Sequence, residues 1–281
     1  MSDMKGVMVY MYNQPMELKR AVWNEEKTLC VSGVGQGMEH VLELYAAHGR
    51  DCLAHMRGAF SFCLYDQERN ELFAARDRMG EKTLYYAEIP GGMVFSTELK
   101  AILKDYIAEP QLDVEQLMGP IRYTGPIDNE KTYIKQIKRL GAGEYVVVNA
   151  NGLKRYTYWD RHLLRENRIN VSLDEAKRKI ETLLRESVDY ALQTDKPLAI
   201  MLSGGIDSSL VAKLAKDTGR EVHTITAGYK GAHACDERDV ARRFAAEQGF
   251  IHHEIELDET DFQHCFEEFT QCMDEPITDS A

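Results

Sequence analysis

The chain contains no C-x-x-C pair among its six cysteines, Cys30, Cys52, Cys63, Cys235, Cys265 and Cys272. Nothing in their spacing resembles a zinc cluster or the disulfide frame of a small secreted domain, so reduced, partly buried thiols are expected. Positive charge is in deficit, with 34 Lys and Arg against 46 Asp and Glu and a formal net charge of -12. That balance argues against a broad electrostatic footprint for nucleic acid. No segment runs for about 18 apolar residues without interruption. Met1 to Pro15 also lack a basic stretch followed by an apolar core. The expected location is the cytoplasm, with no membrane partner. With 7 prolines, 44% hydrophobic and 28% charged residues over 281 positions, the composition is that of an ordinary globular protein. The length suggests two domains, each able to bury its own core.

What is present centres on Ser203-Gly204-Gly205-Ile206-Asp207-Ser208-Ser209. The apolar run Leu198 to Leu202 precedes it, and an amphipathic run, Leu210 to Thr218, follows. That order predicts a buried strand, a tight glycine turn and a helix. Two glycines let the backbone approach a ligand, and the first N–H groups of the helix have no partner inside it. The turn therefore suits a phosphate, with Ser203, Ser208 and Ser209 as added hydroxyl donors. Asp207 is repulsive beside a phosphate unless a divalent cation lies between them, so the motif asks for a nucleotide with magnesium. No Lys follows the glycines, which excludes the G-x-x-x-x-G-K-[ST] loop. The residues instead resemble the pyrophosphate loop of enzymes that cleave ATP between its α and β phosphates. The bland alternative is an ordinary glycine turn before a helix.

Along the chain, residues 5–12 alternate loosely as a strand would. Gly33 to Gly37 read as a loop, and Met38 to His48 as a helix with Val41, Leu42 and Tyr45 on its core face. Ala59 to Tyr65, Glu71 to Ala75, Thr83 to Ala87 and Met93 to Ser96, divided by turn signals, predict an antiparallel meander. Glu98 to Ile107 then reads as a short helix. The charges Arg76, Asp77 and Arg78 each have a plain reading as an exposed, salt-bridged hairpin turn of little energy. After residue 162 the pattern changes. Ser172 and Glu175 have capping-box spacing before a helix whose apolar face is Ala176, Ile180, Leu183, Leu184, Val188 and Ala191. Strands follow at 222–227 and 250–257, with helices at 236–248 and 261–273. This alternation predicts a doubly wound parallel sheet with ligands at the carboxyl ends of its strands.

Met56 to Phe62, Ala75 to Tyr86 and Phe95 to Ala101 resemble the central part of the glutaminase domain of glutamine-dependent asparagine synthetases. Lys138 to Tyr145 and Tyr156 to Asp160 continue that resemblance. Together with the pyrophosphate loop it covers about residues 35–281. It implies an incomplete α+β glutaminase-like sheet domain over 1–162, followed by an α/β doubly wound nucleotide-binding domain over 163–281, incomplete at its C-terminal end. It further implies ATP held by Leu202, Ser203, Gly204, Gly205, Asp207, Ser208, Ser209, Ala227 and Gly228, with Mg²⁺ on Asp207, which also serves catalysis. The implied substrates are a small carboxylate, aspartate by resemblance, and an amine donor.

Departures from the family pattern are equally specific. Ser2 follows Met1 where the family exposes a nucleophilic cysteine, the glutamine-binding segments have no counterpart, and Gly37 stands where the family has an aspartate. No glutaminase activity is expected. Asp274-Glu275-Pro276 resembles the family's segment near the active-site mouth, but the metal-binding loop that normally follows does not. The chain is therefore expected to be a fragment, or to need a homodimer mate or partner chain. The alternatives are a β-lactam synthetase-like or lasso-cyclase-like amide-forming enzyme, or a non-catalytic nucleotide-binding remnant. His252 and His253, adjacent on a strand, are expected to face opposite sides rather than form a metal pair, and Asp236 and Glu237 are expected to start a helix.

Overall fold

The computed structural model describes residues 7–11, 17–19, 21–35, 37–123, 128–161, 169–194, 196–231 and 236–275. Two compact units emerge, Met1–Arg168 together with Met273–Ala281, and Ile169–Cys272. The first opens with β1 (Val7–Met11), β2 (Glu17–Lys19), β3 (Val22–Trp23) and β4 (Leu29–Gly35). A single 3-10 turn leads into α1 (Val41–His48), and another into α2 (Cys52–His55). Strands β5 (Phe60–Asp66), β6 (Glu71–Arg76), β7 (Tyr85–Ile89) and β8 (Gly92–Ser96) come next. Helices α3 (Leu99–Tyr106) and α4 (Val114–Tyr123), then β9 (Ile137–Arg139), β10 (Glu144–Asn149) and β11 (Gly152–Thr157), complete it.

These strands form two sheets, ordered β2-β1-β8-β7-β9 and β11-β10-β6-β5-β4-β3. Side-chain alternation makes three cores out of two sheets. Met8, Cys63, Leu72, Ala74, Tyr86, Phe95, Val146 and Val148 meet between the sheets. The far side of one sheet presents Phe62, Leu64 and Phe73 to Val41, Tyr45, Cys52 and Leu53 of α1 and α2. The far side of the other presents Tyr85, Ala87 and Val94 to Leu99 and Ile102 of α3. The result is a helix–sheet–sheet–helix stack, in which strands buried on both faces read as continuous apolar runs.

Two expectations are corrected here. The meander breaks between β6 and β7, which lie in different sheets. Its turning point is a buried polar knot. Asp77, 1% exposed, accepts from the N–H groups of Met79, Glu81 and Lys82, each at 3.0 Å, and from Phe60 at 3.3 Å. Arg76 donates to the carbonyls of Lys82, Gly80 and Leu140. Neither charge is spent on an exposed hairpin salt bridge; both satisfy backbone that turns from one sheet to the other. The second correction is the glycine-rich loop. Residues 29–35 pair with β5 in continuous antiparallel register from Leu29↔Asp66 to Gly35↔Phe60, because a Cβ at Gly33 would lie 2.6 Å from that of Phe62. The first strand, expected at 5–12, is seen as β1; its expected end residues Lys5, Gly6 and Tyr12 lie outside the described residues, as does Ser2.

The second unit holds α5 (Leu173–Ala191), β12 (Leu198–Met201), α6 (Ile206–Asp217), β13 (Val222–Tyr229), α7 (Arg238–Gln248), β14 (Ile251–Leu257) and α8 (Glu259–Cys272). Ser172 Oγ accepts from Glu175 N at 3.3 Å to cap α5. The three strands are parallel, in the order β12-β13-β14. Along β13, Val222, Thr224, Thr226 and Gly228 are buried and their neighbours less so. The covered face packs on Ala212 of α6 and on Ala241 and Ala245 of α7, together with Ile200 and Leu202. The opposite face carries exposed Met201, Tyr229, Ile251 and Ile255. No helix among the described residues is long and apolar enough to cross a membrane.

Cys30, Cys52 and Cys63 are buried, whereas Cys265 and Cys272 are exposed. Burial pushes the thiols of Cys30 and Cys52 up to about 12 and that of Cys63 higher still. A disulfide-exchange reagent at pH 8 is expected to label Cys265 and Cys272 at once and the three buried thiols only after denaturation, which mass spectrometry of the labelled peptides checks. Asp77→Ala leaves several half-buried N–H donors without an acceptor and should cost about 3 kcal/mol, read as a lower urea midpoint at unchanged slope.

Candidate functional site

Strand β12 ends in Leu202, whose side chain is 2% exposed. Its N–H donates to Ile225 O at 2.8 Å, and its carbonyl accepts from Thr226 Oγ1. Leu202 is thus an anchor with both backbone groups engaged by β13, and the outward-facing part of the loop begins at Ser203. There the chain turns. Gly204 has φ +78, and a Cβ on it would meet Val240 Cγ1 at 2.9 Å and Ala241 N at 3.0 Å. Only glycine fits both the left-handed backbone and the close approach of α7.

Beyond the turn the hydroxyls converge. Ser203 Oγ and Ser208 Oγ lie 3.0 Å apart, and Ser203 N donates to Ser208 Oγ at 3.3 Å. Gly205 N donates to Ser203 Oγ at 3.2 Å, and Ser209 N donates to Gly205 O at 3.1 Å, closing the first turn of α6. Gly205 is the N-cap of α6 and supplies no side chain to it, so this helix start keeps its positive end for another group. Asp207 lies in that first turn and is exposed. No hydrogen bond or ion pair of its carboxylate is seen among the described residues.

The register brings the two halves of the predicted site together. Met201 pairs with Ile225 in the parallel ladder, so Ser203, just past the end of β12, lies level with Ala227 near the carboxyl end of β13, where Ala227 still pairs with Ile255 of β14. Ala227 is exposed and Gly228 buried. Beside them, at the carboxyl ends of β13 and β14, a cleft of ≈ 690 Å³ is lined by Tyr229, Lys230, Leu257, Asp258, Thr260 and Gln263. No residue of the loop lines it.

This donor set fits a polyphosphate with magnesium. Hydroxyls, a helix start and a glycine turn offer hydrogen-bond donors, and the one carboxylate suits a cation that takes its remaining ligands from phosphate oxygens and water. No cluster of three or more His, Cys, Asp or Glu able to hold a metal is found among the described residues. His252 lies beside Thr224 at 2.9 Å and His253 beside His223 at 2.8 Å, on separate partners.

Asp274 and Glu275, expected near the mouth of the site, have partners in the first unit. Asp274 caps α3, accepting from Leu99 N at 3.0 Å and Lys100 N at 3.2 Å. Glu275 pairs with Arg139 and accepts from Tyr85 OH at 3.1 Å. Two residues that pattern alone did not single out lie beside these positions: Thr226 fixes the entry of the loop, and Arg238 packs over Gly228 of β13; neither had a motif to mark it.

Comparison with known proteins connects both units to one group. Residues 7–159 match the glutamine amidotransferase domain family, more than half of the chain, and residues 179–281 match the asparagine synthase family. The chain belongs to the asparagine synthetase family. Amidase chyE of Penicillium rubens is 32% identical over 260 residues, covering 86% of this chain and 38% of that protein. Asparagine synthetase [glutamine-hydrolyzing] 3 of Bacillus subtilis is 30% identical over 68% of this chain and 32% of its own length. A putative asparagine synthetase of Methanocaldococcus jannaschii is 27% identical over 91% of this chain and 50% of its own length. The chain therefore spans half or less of the length of these relatives. The glutamine amidotransferase match falls within the four-layer first unit, and the asparagine synthase match takes in the Ser203–Ser209 loop and most of the parallel-sheet unit.

Because Gly204 touches α7 at van der Waals limits, Gly204→Ala is expected to lower the thermal midpoint of the protein and to cost about 1–3 kcal/mol. Calorimetry checks this, and an unchanged midpoint would mean that α7 yields freely.

Proposed function

We propose that this chain carries the nucleotide-binding part of an ATP-dependent amide-forming ligase, one that adenylates a carboxylate and then accepts nitrogen onto it. The reading is carried by one observation: the Ser203–Ser209 turn stands at the carboxyl end of a parallel strand, with the exposed Asp207 carboxylate in its helix start. The substrates are Mg-bound ATP and a small carboxylate, aspartate by family, with an amine donor.

In the first step a carboxylate oxygen attacks the α-phosphorus and the bond between it and the bridging oxygen to the β-phosphate breaks. Pyrophosphate leaves and an acyl-adenylate remains. In the second step the amine nitrogen attacks the acyl carbon, AMP leaves with the bonding pair, and the nitrogen gives up a proton. Loop amides with the hydroxyls of Ser203, Ser208 and Ser209 receive the departing pyrophosphate, and Ala227 and Gly228 offer backbone groups to the adenine. Asp207 would hold the magnesium, which supplies charge neutralisation at the phosphates. Most of the rate enhancement open to such a site is positioning and electrostatics.

The first unit, on this reading, does not hydrolyse glutamine. Gly37, with φ 75, stands where the family has an aspartate, and Cys30, Cys52 and Cys63 are buried thiols with raised proton affinity. A cytoplasmic location and a doubly wound arrangement of the parallel sheet go with the same reading. So does the division into domains at 162 and 163.

The test is ATP–pyrophosphate exchange with aspartate and a panel of other carboxylates, alongside equilibrium binding of Mg-ATP. Magnesium-dependent binding that Asp207→Ala abolishes, with exchange on at least one carboxylate, is the expected result. Binding without exchange on any carboxylate reduces the chain to a nucleotide-binding module, and binding that Asp207→Ala leaves untouched removes the metal assignment.

A further inference from the structure

Arg238 opens α7 with a hydrogen-bonding set concentrated on one strand end. Its Nε donates to both oxygens of Asp236 at 3.0 and 2.9 Å, and one terminal nitrogen donates to Asp236 Oδ2 at 2.6 Å. That nitrogen also reaches Tyr229 O at 2.9 Å, while the other donates to Glu256 Oε2 at 2.8 Å. The guanidinium thus joins the loop before α7, the end of β13 and the end of β14. Its side chain is 14% exposed. It also occupies the space a side chain on residue 228 would need, since a Cβ at Gly228 would stand 2.3 Å from Arg238 Nε and 2.5 Å from its Cδ. The Asp236 and Glu256 carboxylates raise the proton affinity of Arg238 above its ordinary value, so the fork stays charged and planar.

We propose that Arg238 is the positioning residue of the base-recognition edge: by gripping Tyr229 O and filling the space over Gly228 it fixes the backbone at 227–229 that reads the adenine. This rests on the nucleotide reading above and goes beyond it, because it separates base recognition from phosphate binding. The two functions have different anchors. The phosphate turn is held by Thr226, Ile225 and the Val240–Ala241 turn of α7, whereas the base edge is held by the Arg238 fork. A lysine or an aliphatic stem cannot reproduce the fork, since no other side chain spans Asp236, Glu256 and Tyr229 O with planar, fixed donors.

The experiment compares binding of Mg-ATP, Mg-GTP and Mg-pyrophosphate by the full chain and by Arg238→Met. In the parent, Mg-ATP is expected to bind more tightly than Mg-GTP. Losing a charge-assisted bond to the strand end should weaken Mg-ATP about tenfold in Arg238→Met, a change of about 1.4 kcal/mol. Mg-GTP should change less, so that the base preference collapses, and Mg-pyrophosphate should stay within about a factor of two of the parent. Asp236→Asn, which keeps the guanidinium but weakens its main tether, should shift the preference in the same direction and decides the matter if Arg238→Met does not fold. An unchanged ATP-to-GTP ratio in the folded variants overturns the positioning role while leaving the nucleotide reading intact. So does a parallel loss of pyrophosphate binding, which would make Arg238 a general support of the unit. A parent that binds neither Mg-ATP nor Mg-pyrophosphate overturns the nucleotide reading, and this inference with it.

Discussion

The first unit depends on two buried charges that never meet an opposite charge at the surface. Asp77 gathers four backbone N–H groups and Arg76 three carbonyls, at the place where the chain leaves one sheet for the other. A turn of that tightness leaves peptide groups unable to join either ladder, and burying them bare would cost more than a small core returns. The side chains supply the missing ladder. With the crossing fixed, β7 and β8 are free to pair in the second sheet, and the apolar faces of both sheets close over a shared core. Tyr158, donating to Arg76 O at 2.8 Å, ties the last strand region of this unit to the same point.

The second unit meets a different constraint, which is to bring a helix start close to a strand end. It does so with small residues. Ala212, Ala241 and Ala245 are fully buried, so α6 and α7 approach the sheet closely, and the two glycines at 204 and 228 accept α7 at its first turns. The site is accordingly built from backbone, and its chemistry comes from three serines and one aspartate.

Much of this was legible in the sequence, and the unequal share follows from the range of the interactions. The order strand, glycine turn, helix around Ser203 is set by neighbours within about ten residues, and β12, the turn and α6 lie where the pattern puts them. The alternation of strands and helices after residue 169 is equally local. The passage from β6 to β7 was misread because period-two strands look the same whether or not they share a sheet; the difference lies in Arg76 reaching Leu140 O, 64 residues away. The Gly33 region read as a loop because glycine is a turn signal, whereas here it makes room for Phe62. Arg238 carried no signal, since its role comes from the ends of two strands and not from its neighbours. For Asp274 and Glu275 nothing in the sequence signalled partners 175 and 136 residues away.

The long-range cap on α3 bears on the order in which a ribosome can build the protein. Glu98, the N-cap of α3, does not cap it with its side chain; the carboxylate that does so emerges 175 residues later. At about 5–20 residues per second, α3 waits roughly 10–35 seconds for it. During that interval Arg139 and Tyr85 also lack Glu275. The first unit can therefore assemble its sheets early but gains this cap and the Glu275 contacts only after residues 169–272 have been synthesised, so its maturation reports that the chain has been translated past residue 275.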